Sequence, residues 1–84
     1  MYQILFSDLA YRQLQKLDKE IQKRIGSALE RIRTRPEQFV KRLTGYALYS
    51  LRVGDHRIVI DVDRGKLIIL VMEIGHRKKI YKRL

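Results

Sequence analysis

The chain has no cysteine and no tryptophan, and it holds only one proline, Pro36, in 84 residues. Without cysteine it forms no disulfide and no thiolate metal site, which favours a reducing compartment, so we expect a cytoplasmic protein. Its longest apolar run, at 67–72, is far too short to span a bilayer. The first residues, MYQILF, lack the basic start and the small residues of a cleaved signal peptide. We expect one domain, over 1–84, with one core.

Negative charge is also scarce. Nine Asp and Glu residues face nineteen Lys and Arg residues, which gives a net charge of +10. Such an excess predicts a polyanionic partner: a nucleic acid, an acidic protein segment or an anionic membrane. A membrane is the least favoured, because no stretch combines a basic face with exposed Trp or Phe. The alternative is a highly charged, solvated surface with no specific partner.

Motifs for metal, nucleotide or serine chemistry are missing. His56 and His76 are the only histidines, and the nearby carboxylates form no recognised ligand spacing. The glycines match neither a phosphate-binding loop nor a dinucleotide fingerprint, and a nucleophile elbow is absent. We therefore expect activity without a metal or a cofactor.

Apolar spacing predicts two helices, at 7–17 and 19–34. Leu14, Leu17, Ile21, Ile25, Ala28 and Ile32 recur at intervals of three and four. Ser7 or Asp8 is a candidate N-cap of the first helix, and Asp18 of the second. Pro36 disfavours helix at the residue before it and predicts the stop. One long helix is the alternative.

Strands are predicted at 2–6, 47–53, 56–63 and 66–74, the last three joined by short Asp/Gly turns as a meander. The run at 66–74 is apolar on both faces, which predicts a strand inside the sheet. The order βααβββ predicts an α+β, two-layer fold, in which a helical hairpin packs on a mainly antiparallel four-stranded sheet. Alternation places Arg57 on the face away from Ile58, and Ser50 and Arg52 on the face away from Leu51.

Three arginines, Arg52, Arg57 and Arg77, lie at or near strand positions where the sheet can bring them together. Planar guanidinium groups bind two phosphate oxygens and stay charged. Such a site could cleave RNA without metal, if it aligned the 2′-hydroxyl with phosphorus, neutralised the oxyanion and moved protons. The residues alone leave phosphate binding without catalysis open.

Two segments resemble a known family. YSLRVGDHR at 49–57, and EIGHR at 73–77 followed by Tyr81, are similar to the RelE branch of the RelE/ParE toxin superfamily of toxin–antitoxin modules. The likeness extends over nearly the whole chain. It implies a RelE-like fold and a ribosome-dependent endoribonuclease (mRNA interferase) that cuts messenger RNA in the ribosomal A site.

The resemblance also implies roles for single residues. Arg57 and Arg77 match the family's phosphate-stabilising arginines, with Arg77 also protonating the leaving 5′-oxygen. Tyr81 matches a tyrosine that stacks on or orients the cleaved nucleotide. Arg52 matches one of two basic positions associated with activating the 2′-hydroxyl, and the other position is Ser50 here.

Proton removal is therefore unassigned, because a guanidinium stays protonated and is a poor base. Water, Tyr81 or His76 could accept the proton, since histidine titrates near neutral pH. Ser50, Lys78 and Lys79, like His76, are expected to contact RNA or to take part in proton transfer. Alternative interpretations make Arg57 a structural partner of Asp55 or Asp61, Arg52 a solvated surface residue and Tyr81 an anchor of the C-terminal tail.

The expected partners are the ribosome with its messenger RNA, and a cognate antitoxin in a hetero-oligomeric complex. An acidic, amphipathic antitoxin segment would lay an apolar helix in a groove or add a strand to the sheet edge. Two other functions remain open: a ParE-like inhibitor of DNA gyrase, and a non-catalytic ribosome- or RNA-binding module.

Overall fold

The computed structural model describes residues 1–36, 41–42 (backbone only) and 48–76. Its elements are β1 (Gln3–Phe6), α1 (Asp8–Gln15), α2 (Lys19–Ile32), β2 (Lys41–Arg42), β3 (Tyr49–Val53), β4 (His56–Asp63) and β5 (Ile68–His76). The predicted α+β architecture is confirmed. The additional strand, β2, has two residues and lies between the predicted second helix and the strand predicted at 47–53.

The described strands form one sheet in the order β1-β5-β4-β3-β2. Only β1 and β5 pair in parallel, and the other neighbours are antiparallel. As predicted, the apolar strand β5 lies inside the sheet. It begins at Ile68, later than predicted, because a turn occupies 64–67. In this turn the Asp63 carboxylate accepts a hydrogen bond from the Lys66 amide at 3.0 Å.

The helical hairpin forms as its sequence signals predict. Ser7 is the N-cap of α1, and its Oγ accepts a hydrogen bond from the Ala10 amide at 3.0 Å. Asp18 is the N-cap position of α2, so two helices form instead of one. At the far end of α2, the Arg33 Nε donates to the Tyr2 carbonyl at 3.0 Å. The Tyr2 amide donates to the Arg33 carbonyl at 2.9 Å, which ties the helix end to the start of β1.

Both helices cover the same face of the sheet. The fully or almost fully buried side chains there are Ile25, Leu29 and Ile32 of α2 and Leu51, Ile58, Ile60, Ile69, Val71 and Ile74 of the strands. Each such aliphatic side chain contributes about 1.5–3 kcal/mol when it leaves water. Within the described residues, no helix is both long and apolar enough to cross a bilayer.

A β-bulge interrupts the pairing of β4 with β5. Val59 pairs with Glu73 and Ile60 pairs with Val71, so Met72 is an extra residue on β5. An extra residue reverses the alternation of side chains beyond it. Ile74 therefore shares the helix-covered face with Val71, and Glu73 turns to the opposite face.

Beyond the end of β1, backbone groups on the edge of β5 form hydrogen bonds with Ser7 and with a side chain of α1. The Ser7 amide donates to the Val71 carbonyl at 2.9 Å, and the Ser7 hydroxyl donates to the Met72 carbonyl at 2.8 Å. The Ile74 amide donates to Oε1 of Gln13 at 2.7 Å. A cap residue and one side chain of α1 thus replace the missing neighbouring strand.

We expect the Gln13→Leu variant to lose about 1–3 kcal/mol of unfolding free energy, because the part-buried Ile74 amide then lacks this acceptor. Gln13→Glu keeps a side-chain oxygen acceptor of the same length and serves as the matched control, with a much smaller loss. Urea unfolding followed by circular dichroism measures both. Equal losses for the two variants would contradict a specific role of this hydrogen bond.

Candidate functional site

The face of the sheet away from the helices carries two adjacent rows of cross-strand partners. One row joins Arg52, Arg57 and Gly75, and the next joins Ser50, Val59 and Glu73. The residues between these rows, such as Ile58, are buried against the helices. Since side chains alternate along a strand, both rows face the opposite side. The sheet thus brings together Ser50, Arg52 and Arg57, three of the residues predicted for the site.

Arg52 and Arg57 are direct partners on β3 and β4. Direct partners have Cβ atoms about 4.5–5.5 Å apart, and like charges in this arrangement are destabilising. Arg52 is exposed and donates from Nε to the Gly54 carbonyl at 3.3 Å, whereas only 9% of Arg57 is exposed. An anion bound beside them would offset the repulsion with charge-assisted hydrogen bonds.

The turn between β3 and β4 sets this pairing. Val53 pairs with His56, so Gly54 and Asp55 are its two central residues. Gly54 has a φ of 59°, which suits the first central position of a type II′ turn and favours glycine there. A two-residue turn fixes the hairpin register, and this register places Arg52 opposite Arg57.

Ser50 holds the buried arginine. Nη1 of Arg57 donates to Oγ of Ser50 at 3.3 Å, and Ser50 is only 6% exposed. A hydroxyl accepts this bond, whereas an ammonium group at position 50 would place a third positive charge diagonally across from Arg57. Compared with a basic residue at position 50, Ser50 provides no positive charge, but it accepts a hydrogen bond that orients Arg57.

Glu73 is a site residue that the sequence did not predict. It is half-buried, and it lies diagonally across β4–β5 from Arg57, as Ser50 does across β3–β4. Diagonal partners are about 7–8 Å apart, within reach of long side chains. Alternation continued from Ile69 and Val71 would place residue 73 on the helix-covered face. The bulge at Met72 reverses this, and nothing in the apolar run of 68–72 that precedes Glu73 signals it.

His76 is not brought together with Arg57. It pairs with His56 across β4–β5, on the helix-covered face, with the ring centres 6.5 Å apart. The predicted residues Arg77, Lys78, Lys79 and Tyr81 lie outside the described residues. Within 1–36, 41–42 and 48–76, no group of three or more His, Asp or Glu side chains could hold a metal ion.

Several solved structures with this fold are RelE toxins or their complexes with antitoxins. The chain is similar to the toxin of the intact Escherichia coli RelBE toxin–antitoxin complex, with a TM-score of 0.81, 21% identity, and coverage of 90% of this chain and 96% of that one. It is also similar to a chain of the RelB–RelE antitoxin–toxin complex of Methanococcus jannaschii, with a TM-score of 0.75, 28% identity, and coverage of 95% and 98%. For the isolated E. coli RelE toxin, the TM-score is 0.81 at 21% identity, with coverage of 99% and 94%. The fold is therefore the RelE-type toxin fold.

A family model gives the family. The model described as the ParE toxin of type II toxin–antitoxin system, parDE, matches residues 4–81. The chain belongs to this family of type II toxins within the RelE/ParE superfamily, and its structural neighbours are of the RelE type. No curated protein compared with the chain matches it significantly.

We expect phosphate to raise the melting temperature above that in sodium chloride of equal ionic strength, because it relieves the repulsion between Arg52 and Arg57. A relief of up to about 1 kcal/mol corresponds to roughly 4–8 °C in a domain of this size. Arg52→Gln should remove most of this gain. Arg31→Gln, which removes one charge from the exposed side of α2, is the control and should keep it. An equal phosphate effect in all three proteins would indicate general ion effects only.

Proposed function

We propose that the protein is a ribosome-dependent endoribonuclease toxin, which cleaves messenger RNA in the A site by attack of a 2′-hydroxyl on the adjacent phosphodiester. The observation that carries this proposal is the facing pair Arg52 and Arg57, flanked by Ser50 and Glu73 on one face of a rigid sheet. The resemblance of 49–57 and 73–77 to RelE toxins supports it, as does the RelE-type fold.

Arg52 and Arg57 differ in exposure, so we expect them to stabilise the phosphate in different ways. Arg52 is exposed and can form charge-assisted hydrogen bonds with a phosphate directly. Arg57 is buried and held by Ser50, so it contributes a fixed positive potential beneath the phosphate. Preorganised charge of this kind stabilises the extra negative charge of the pentacoordinate transition state.

We assign proton removal to Glu73. It is a carboxylate on the same face as the arginines, whereas the exposed His76 pairs with His56 on the opposite face of the sheet. In the proposed step, Glu73 takes the proton of the 2′-hydroxyl, the 2′-oxygen bonds to phosphorus, and the bond from phosphorus to the 5′-oxygen breaks. The leaving 5′-oxygen takes a proton from the Arg77 guanidinium, the role that the resemblance implies, and Arg77 then regains a proton from solvent while Glu73 releases one to it. The products are a 2′,3′-cyclic phosphate and a 5′-hydroxyl, with no net change in protons.

The proposal is tested by primer extension on messenger RNA in a reconstituted translation mix. We expect new cuts within the A-site codon for the wild type, and rates lower by about 10²–10³-fold for Arg77→Ala, as for loss of one preorganised donor. Arg31→Ala removes a charge from the other side of the molecule and should cleave at the wild-type rate. Intact message with wild-type protein would overturn the nuclease function.

The same assay under single-turnover conditions tests Glu73. Loss of a general base lowers rates by about 10²–10⁴-fold, and we expect Glu73→Gln to fall in this range. Asp61→Asn is the matched control. Asp61 is an exposed carboxylate on the same face of the sheet as Arg57, four residues further along β4. Equal rates for Glu73→Gln and Asp61→Asn would rule out Glu73 as the base.

The family model is named for ParE, so inhibition of DNA gyrase is the second candidate. Cleavage-complex formation by gyrase, measured with supercoiled plasmid, distinguishes it. Gyrase-mediated DNA breaks together with intact messenger RNA would favour this function, whereas ribosome binding without either activity would favour a binding module.

We also propose an antitoxin partner, as in the RelB–RelE complexes of relatives. A groove of about 360 Å³ lies between the edge strand β1 and α2. Its lining residues are Gln3, Ile4, Phe6, Gly26, Leu29, Glu30 and Arg33. The apolar face of an amphipathic antitoxin segment would fit this groove, and its acidic residues would complement the net charge of +10.

Co-expression with the product of the neighbouring reading frame should therefore yield a co-purifying complex. A side chain at Gly26 would meet no heavy atom within 4 Å, so Gly26→Gln should fill the groove without harming the fold. We expect this variant to keep its melting temperature and to bind the antitoxin at least about tenfold more weakly, whereas Gly26→Ala binds nearly normally. Unchanged binding of Gly26→Gln would place the antitoxin elsewhere.

A further inference from the structure

His56 and His76 form a cross-strand pair at the end of the sheet opposite to the turn of 64–67. They are direct partners on β4 and β5, and their rings meet edge to face, with centres 6.5 Å apart and planes at 67°. His56 is half-buried and His76 is exposed, so water and solutes can reach the pair. Neither ring has a part in the cleavage site, which is on the other face.

We propose that this pair is a binding site for a transition-metal ion such as Zn²⁺, Ni²⁺ or Cu²⁺. Imidazole nitrogens are preferred ligands of these ions. Zinc lies about 2.0–2.1 Å from each imidazole nitrogen, so a tetrahedral angle at the metal needs ring centres about 5 Å apart. Rotation of the exposed His76 ring supplies the remaining approach. Water completes the coordination, and the exposed Asp55 directly precedes His56 in the turn.

The charges near the pair bear on its affinity. The guanidinium of Arg24 lies over the turn, 3.8 Å from the position of a Cβ on Gly54. This charge opposes a cation, and Asp55 favours one. The site therefore suits an ion that binds by covalent donation from nitrogen, and disfavours Mg²⁺ or Ca²⁺, which depend on oxygen ligands.

Metal binding would fasten the last residue of β5 to β4. His76 directly precedes Arg77, so an ion at this site would restrain the backbone at the entry to the segment that carries the predicted leaving-group arginine. This site is independent of the proposed cleavage chemistry, which requires no metal.

The test is titration of the tag-free full chain with Zn²⁺, followed by isothermal calorimetry at pH 7.5. We expect one ion per chain, and affinity at least about tenfold lower in His56→Gln and in His76→Gln, because each variant loses one of two protein ligands. Binding should weaken as the pH falls, since a protonated imidazole cannot bind a metal. Asp61→Asn is the control and should bind like the wild type.

A second measurement requires no variant. In the wild-type chain, ¹⁵N signals of both imidazole rings should shift together at one equivalent of Zn²⁺, while Mg²⁺ causes no shift. Perturbation of one ring only, or in the calorimetry equal Zn²⁺ affinity in the wild type, His56→Gln and His76→Gln, would overturn the proposal and leave the pair as an edge-to-face ring contact.

Discussion

The structure depends on hydrogen bonds to the backbone of one central strand, β5, along the edge that β1 leaves partly uncovered. β5 pairs with β4 along one side, but β1 covers only its first part, to Val71. Beyond that point the backbone groups of β5 bond to Ser7 and Gln13. Buried backbone groups without partners are costly, so α1 has to cross the sheet at this place. These bonds also fasten α1 to β5 on both sides of the bulge at Met72.

The site opposite the helices concentrates charge that does not help the fold. Arg57 is a buried cation, and Arg52 faces it directly. Burial of charge is tolerated when hydrogen bonds compensate for lost hydration, and Ser50 provides one of them. Positions that lower stability in this way are typical of functional sites. The hydrophobic layer on the other face provides the stability that the site lacks.

Local signals in the sequence predicted the elements that depend on nearby residues. β4 has the predicted bounds because turn residues flank it on both sides, and Ser7 caps α1 because a short hydroxyl precedes a helical pattern. Alternation placed Ser50, Arg52 and Arg57 on one face, since β3 and β4 mix apolar and charged residues. The fold class and this half of the site could therefore be predicted.

The other half of the site depends on contacts between distant residues. The first part of β5, at 68–72, is apolar on both faces, so its pattern gives no sign of the bulge at Met72. Without a sign of the bulge, Glu73 and His76 could not be assigned to faces. The hydrogen bond from Arg57 to Ser50 likewise depends on strand register, which follows from the turn at Gly54. The strand Lys41–Arg42 pairs with Tyr49 and Ser50 of β3, a contact that no local pattern of two basic residues predicts.

The bulge has a consequence for comparison with relatives. One residue at Met72 decides which side of the sheet every later residue of β5 occupies. A homologue that lacks this residue would carry the position equivalent to Glu73 into the apolar layer and expose the position equivalent to Ile74. Insertions and deletions here therefore change chemistry without changing a single functional side chain. Alignments of this region are meaningful only when the count of residues between Val71 and Gly75 is conserved.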